Sequence, residues 1–100
     1  MAVEVQPTDL RRRLDDGEDI YLLDVREPFE VDEWAFPEAV NIPLGQLGSR
    51  TAELPVDRAI VVICHAGVRS AAATDALVKA GWRAESLAGG TAAWTADQGS

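Results

Sequence analysis

The sequence predicts an α/β fold: a small parallel sheet of about five strands with helices on both faces. Three observations predict it. Short apolar runs alternate with helix-like stretches along the chain. Two of the runs, Ile20-Tyr21-Leu22-Leu23-Asp24-Val25 and Ala59-Ile60-Val61-Val62-Ile63-Cys64, are nearly continuous, as in strands buried on both faces. The length, 100 residues with 47% hydrophobic, suits one core and leaves no room for a second. Residues 1–100 are therefore read as a single domain, with the informative segments between 20 and 95.

Each element follows in order. Val3-Glu4-Val5 predicts a brief edge strand. Pro7-Thr8-Asp9-Leu10 opens a helix with proline in its first turn, where a missing N–H costs little, and Gly17 stops it. Leu10 and Leu14 share its inner face, while Arg11-Arg12-Arg13 reads as a solvated face rather than a docking patch. After the strand at 20–25, Pro28 to Trp34 predicts a short helical turn, and Ala39-Val40-Asn41-Ile42-Pro43 a short strand closed by proline. Leu44 to Leu54 reads as one short helix with loops, interrupted at Gly48. The β-branched run of 60–63 makes 59–64 the strongest strand. Ser70 to Ala80 predicts a helix ended by Gly81, with Ala73, Ala76, Leu77 and Ala80 as its inward stripe. Arg83 to Leu87 fits a last strand, and Gly89-Gly90 turns the chain into a terminal helix bearing Trp94.

Composition narrows the function classes. Seventeen acidic residues against nine basic ones give a formal charge of -8, which repels a phosphate backbone and argues against nucleic acid as partner. The longest apolar run is far shorter than the roughly 20 residues that span a bilayer, so no membrane association is expected. The N-terminus has neither the basic start nor the apolar stretch of a secretory signal, and a cytoplasmic location is expected. A single cysteine excludes an intramolecular disulfide, and no Cys/His spacing resembles a zinc site.

The chemistry points to Cys64-His65-Ala66-Gly67-Val68-Arg69-Ser70, between a buried strand and a helix. In an open parallel sheet, ligands bind beyond the carboxyl ends of strands, where both Cys64 and Asp24 fall. A loop of small residues can curl so that successive N–H groups point at one spot, and Gly67 tolerates the positive φ this needs. The helix opening near Ser70 adds the positive end of its dipole. Together these lower the thiol pKa and make Cys64 a thiolate nucleophile rather than a packed strand-end thiol. Arg69 adds positive charge or clamps the loop onto Asp24.

The same segment resembles the active loop of the rhodanese family, Cys-x-x-Gly-x-Arg followed by Ser or Thr. Leu23-Asp24-Val25-Arg26-Glu27 is similar to that family's upstream Asp-Val-Arg-Glu motif. Ala39-Val40-Asn41-Ile42-Pro43 resembles its Ala-x-Asn-Ile-Pro stretch, and Leu87 to Trp94 its closing Leu-x-Gly-Gly-x-x-x-Trp pattern. The ordered set, spanning Leu23 to Trp94, is far more specific than any one motif. One departure stands out: where the family often has Gly-His-Ile-x-Gly, this chain has Trp34-Ala35-Phe36-Pro37-Glu38, a bulkier and more apolar turn. Trp34 and Phe36 read as core or rim packing there.

The resemblance implies a rhodanese-like fold and a sulfurtransferase. Cys64 takes a sulfane sulfur from a small anionic donor such as thiosulfate, forms a persulfide, and passes the sulfur to cyanide in an assay or to a thiol or partner protein in the cell. His65, Ala66, Gly67, Val68 and Arg69 form the cradle. Asp24, Arg26 and Ser70 support it, with Asp24 organising Arg69 and Arg26 pairing with Glu27 or Glu30. His65 tunes donor choice or is an exposed loop residue without a role. No metal or organic cofactor is implied. The alternative is a sulfur-carrier or protein-interaction module with little catalysis of its own. Cysteine-based phosphatases use Cys-x5-Arg; only four residues separate Cys64 from Arg69, a tighter ring that suits one sulfur atom better than a phosphoryl group.

Overall fold

The computed structural model describes residues 2–98. Five parallel strands lie in the order β1-β5-β4-β2-β3: β1 (Glu4–Val5), β2 (Ile20–Asp24), β3 (Val40–Asn41), β4 (Ala59–Ile63) and β5 (Ala84–Leu87). The helices are α1 (Pro7–Asp15), α2 (Pro28–Glu33), α3 (Leu44–Leu47), α4 (Val68–Lys79) and α5 (Gly90–Gln98). β4 is central because every one of its residues is apolar and buried, so both its faces need cover. Alternation along the strands divides the core in two. Leu23, Ile60, Val62 and Cys64 face Leu47, Ala73 and Leu77 of α3 and α4. Leu22, Val61, Ile63 and Leu87 face Leu10, Phe36 and Trp94 on the α1 and α5 side. Each large side chain buried this fully contributes about 1.5–3 kcal/mol. None of the described helices is long and apolar enough to cross a membrane.

Several local expectations shift. α4 starts at Val68 rather than Ser70, because Gly67 takes φ 94° and caps it in the left-handed conformation. The stretch after Pro43 divides into α3 and a separate 3₁₀ turn, Thr51–Glu53, with Gly48 between them. The buried face of α4 is Ser70, Ala73, Thr74 and Leu77, whereas Ala76 and Ala80 are exposed on its flank. Polar Ser70 is drawn inward by hydrogen bonds, and that rotates the stripe away from the all-apolar one. The arginine run is neither bare nor a patch: Arg11 pairs with Asp97, Arg12 with Asp9, and Arg13 with Glu18 and Glu85.

The unusual Trp34–Glu38 turn is resolved by aromatic packing. Phe36 is buried between Trp34 and Trp94, with ring centroids 5.8 and 4.7 Å away. Ala39 N–H donates to Phe36 O at 3.2 Å, closing a turn with Pro37 second and Glu38 third. Glu38 has φ 65°, the third-position conformation of a type II turn and one that favours glycine. It is the only described non-glycine residue with positive φ.

Candidate active site

Cys64 follows directly on β4, and by strand alternation its side chain enters the α4 face of the core. It is 1% exposed. Its Sγ accepts the Gly67 N–H at 3.1 Å and the Ser70 N–H at 3.3 Å, and lies 3.4 Å from Ser70 Oγ. Ser70 is the third residue of α4, so one of these donors is an amide that helix geometry leaves without an intrahelical partner. No side chain caps α4 from Gly67; the sulfur fills that role. Behind it, Ser70 Oγ and Ser86 Oγ of β5 are 2.7 Å apart, so Ser86 can donate to Ser70 while Ser70 donates to a thiolate. Burial pushes the Cys64 thiol up, but the Ser70 hydroxyl and the amides of Ser70, Gly67 and Ala66 outweigh it and hold the pKa below its ordinary value.

The loop amides face inward because the loop carbonyls are held outward. Thr91 N–H donates to Cys64 O at 2.8 Å and Ala92 N–H to His65 O at 3.0 Å, so the N-terminus of α5 grips two successive loop peptides. This close approach explains Gly90, where a Cβ would stand 2.3 Å from Cys64 O and 2.4 Å from His65 O. At Gly67, besides the positive φ, a Cβ would come within 3.1 Å of Gly89 N.

The charged groups pair differently from the sequence expectation. Asp24, 1% exposed, binds Arg26, 3% exposed: Arg26 Nη2 donates to Oδ2 at 2.7 Å and Nε to both carboxylate oxygens at 3.0 Å. Arg26 Nη2 also donates to Trp34 O at 2.7 Å. Arg69 instead reaches α2, donating from Nη1 and Nη2 to the two Glu30 oxygens at 2.6 and 2.9 Å. Asp24 thus organises Arg26, and Arg69 is neither clamped to Asp24 nor a bare cation beside the sulfur. Arg69 holds the Glu30 carboxyl down to about 2. A cleft of about 490 Å³ opens here, lined by Arg26, Glu30, Glu33, Trp34, His65 and Thr91 among others.

Comparison with known proteins places the fold and the sequence in a family. The Rhodanese-like domain family covers residues 6–97. The chain belongs to the rhodanese family. A sulfurtransferase of Allochromatium vinosum is 37% identical over 95 residues, 94% of this chain and 89% of that protein. Among solved structures, a rhodanese-related protein from Thermoplasma volcanium aligns with a TM-score of 0.88 at 32% identity, over 95% of this chain and 92% of that one. A thiosulfate sulfurtransferase from Pseudomonas aeruginosa aligns equally well, TM-score 0.88 at 27% identity, over 97% of this chain but 19% of its own length.

In this rhodanese domain the residues singled out from sequence are assembled unequally. Cys64, Ala66, Gly67 and Ser70 converge on one sulfur. His65 is exposed and lines the cleft, its Nδ1 3.5 Å from Thr91 Oγ1. Val68 is 76% exposed and is the first residue of α4. Three further residues were not foreseen in the site, Ser86, Thr91 and Asn41, while Glu30, expected only as a partner for Arg26, holds Arg69 instead. Asn41 Nδ2 donates to Asp24 O and Arg26 O, both at 2.9 Å, and so fastens β3 to the turn that carries the buried ion pair. Motif position alone drew attention to Asn41 and Thr91; nothing local marks Ser86.

Proposed function

We propose that this domain moves sulfane sulfur through a persulfide on Cys64, with thiosulfate as a competent donor and a thiol or a protein thiol as acceptor. The thiolate attacks the outer sulfur of the donor. A new S–S bond forms to Cys64, the donor S–S bond breaks, and sulfite leaves with its electron pair. An acceptor thiolate or cyanide then attacks the terminal sulfur and returns Cys64 to its starting form. The observation that carries this reading is the convergence of the Gly67 amide, the Ser70 amide and the Ser70 hydroxyl on Cys64 Sγ. Those donors favour the thiolate before attack and an anionic persulfide after it, as preorganised dipoles do at any site of developing charge. The relatives named sulfurtransferase support the reaction class. The test is intact mass spectrometry after treatment with thiosulfate: the wild type gains the mass of one sulfur atom and loses it to cyanide, and Cys64→Ser gains none. Sulfur retained by the Ser variant would place the nucleophile elsewhere.

A further inference from the structure

We infer that Glu30 is a specificity-determining residue that biases the site against dianionic donors and toward sulfane-sulfur donors carrying one negative charge or fewer. The inference rests on the sulfur-transfer reading and refines its substrate class. At the cleft each cation is matched by a carboxylate. Arg26 is held by buried Asp24, and Arg69 by Glu30 through one hydrogen bond to each oxygen. Glu33 adds a further, exposed carboxylate to the lining. The chain as a whole carries -8. An incoming dianion therefore meets amide dipoles but no uncompensated positive charge.

Glu30 is well placed to keep that hold. It sits in the first turn of α2, where its side chain also accepts the Glu27 N–H at 3.0 Å in a capping box, so its orientation is set independently of Arg69. Its carboxyl, held at about 2, stays ionised throughout the neutral range. Arg69 keeps N–H groups that Glu30 does not use and can still hydrogen-bond a donor oxygen. What Glu30 removes is its net charge. The cleft of about 490 Å³, lined by Glu30 and by His65 next to Cys64 in the chain, is larger than thiosulfate needs and has room for an organic group on a donor.

Thiosulfate and methanethiosulfonate separate charge from chemistry, since both present the same outer sulfur to Cys64. With thiosulfate the leaving group is sulfite, a dianion. With methanethiosulfonate it is methanesulfinate, a monoanion; in both, the donor S–S bond breaks as the Cys64 S–S bond forms. The experiment measures the second-order rate of sulfur loading by intact mass for each donor. Glu30→Gln, which keeps an acceptor for the Glu27 N–H, should raise the thiosulfate-to-methanethiosulfonate rate ratio about tenfold, the effect of one released charge at short range under partial screening. Arg69→Ala, which leaves the Glu30 charge uncompensated, should lower the ratio instead. An unchanged ratio in Glu30→Gln, or a ratio that does not fall in Arg69→Ala, overturns the inference. A second readout needs no variant: wild-type loading by thiosulfate should speed up as salt is added, because the net field is repulsive. A rate that falls with salt would mean Arg69 already steers the dianion, and would overturn it as well. Loading that occurs with both donors while the ratio stays fixed refutes only the role of Glu30; no loading by either donor refutes the sulfur-transfer reading and this one with it.

Discussion

Ser70→Ala tests the electrostatics of the cradle. The hydroxyl lies 3.4 Å from Cys64 Sγ and is itself supported by Ser86 at 2.7 Å. A hydrogen bond to a charged group contributes about 1.5–3 kcal/mol, and at this length to sulfur the lower end applies. A loss of about 1.4 kcal/mol reduces the thiolate population about tenfold at any pH below the transition. The thiolate that remains is more basic and hence more nucleophilic, and with a Brønsted coefficient of about 0.4–0.5 it recovers roughly threefold per attack. The rate against a small neutral disulfide should therefore fall about threefold at low pH. Above the transition, where both proteins are fully ionised, it should rise about threefold. The two pH–rate curves should cross. Removing the hydroxyl also leaves Ser86 Oγ buried without its partner, at a cost of about 1–3 kcal/mol in stability. Ser70→Ala/Ser86→Ala should recover part of that stability while keeping the crossing. Parallel curves, slower or faster by one factor at every pH, would mean that access to Cys64 changed rather than its ionisation, and the cradle argument would fail.

Three other outcomes are expected. Gly90→Ala drives a Cβ into the Cys64 and His65 carbonyls at 2.3 and 2.4 Å; it should destabilise by on the order of 3 kcal/mol in chemical denaturation and slow Cys64 alkylation, whereas a silent substitution would contradict the α5 grip on the loop. Glu38→Gly relieves a left-handed residue at φ 65°, and the gain of about 1–2 kcal/mol exceeds the added chain entropy, so thermal denaturation should show a net stabilisation of about 0.5–1 kcal/mol. Glu30 has its pKa lowered from 4.5 to about 2, so its contribution to stability is present above pH 4.5 and is lost as pH falls toward 2; Glu30→Gln should flatten the acid limb of a stability–pH curve in that window, and an unaltered limb would contradict the pairing with Arg69.

Much of the site was legible because it is local. β4, the loop and α4 occupy the contiguous segment 59–79, and the run of apolar residues, Gly67 and the helix start are short-range signals. Cys64 follows the last residue of β4, so its position at a strand end needed only the strand's own pattern. The departures arose where two readings were locally equivalent. Ser70 sits at the helix start in either boundary, and only its bonds to Cys64 and to Ser86 of β5 decide that it faces inward. The left-handed turn at Glu38 survives without glycine because Phe36 is anchored against Trp94, a residue 58 positions further on by sequence number.

By itself, then, the sequence determined the alternation of strands and helices, the place of Cys64 and the glycine-bearing cradle, since these depend on periodicity and on backbone freedom over a few residues. Tertiary structure alone decided which carboxylates Arg26 and Arg69 hold. With seventeen acidic residues, the chain offers Arg69 many partners of equal chemistry, and Coulomb energy selects among them by distance, which sequence separation does not encode. Arg26 takes Asp24 two positions away, inside the protein, and Arg69 takes Glu30 across 39 positions, at the mouth of the cleft. The same reason hides the grip of α5 on the loop: Thr91 N–H and Cys64 O meet only because β5 returns the chain beside β4 and delivers the start of α5 to the carboxyl end of the sheet.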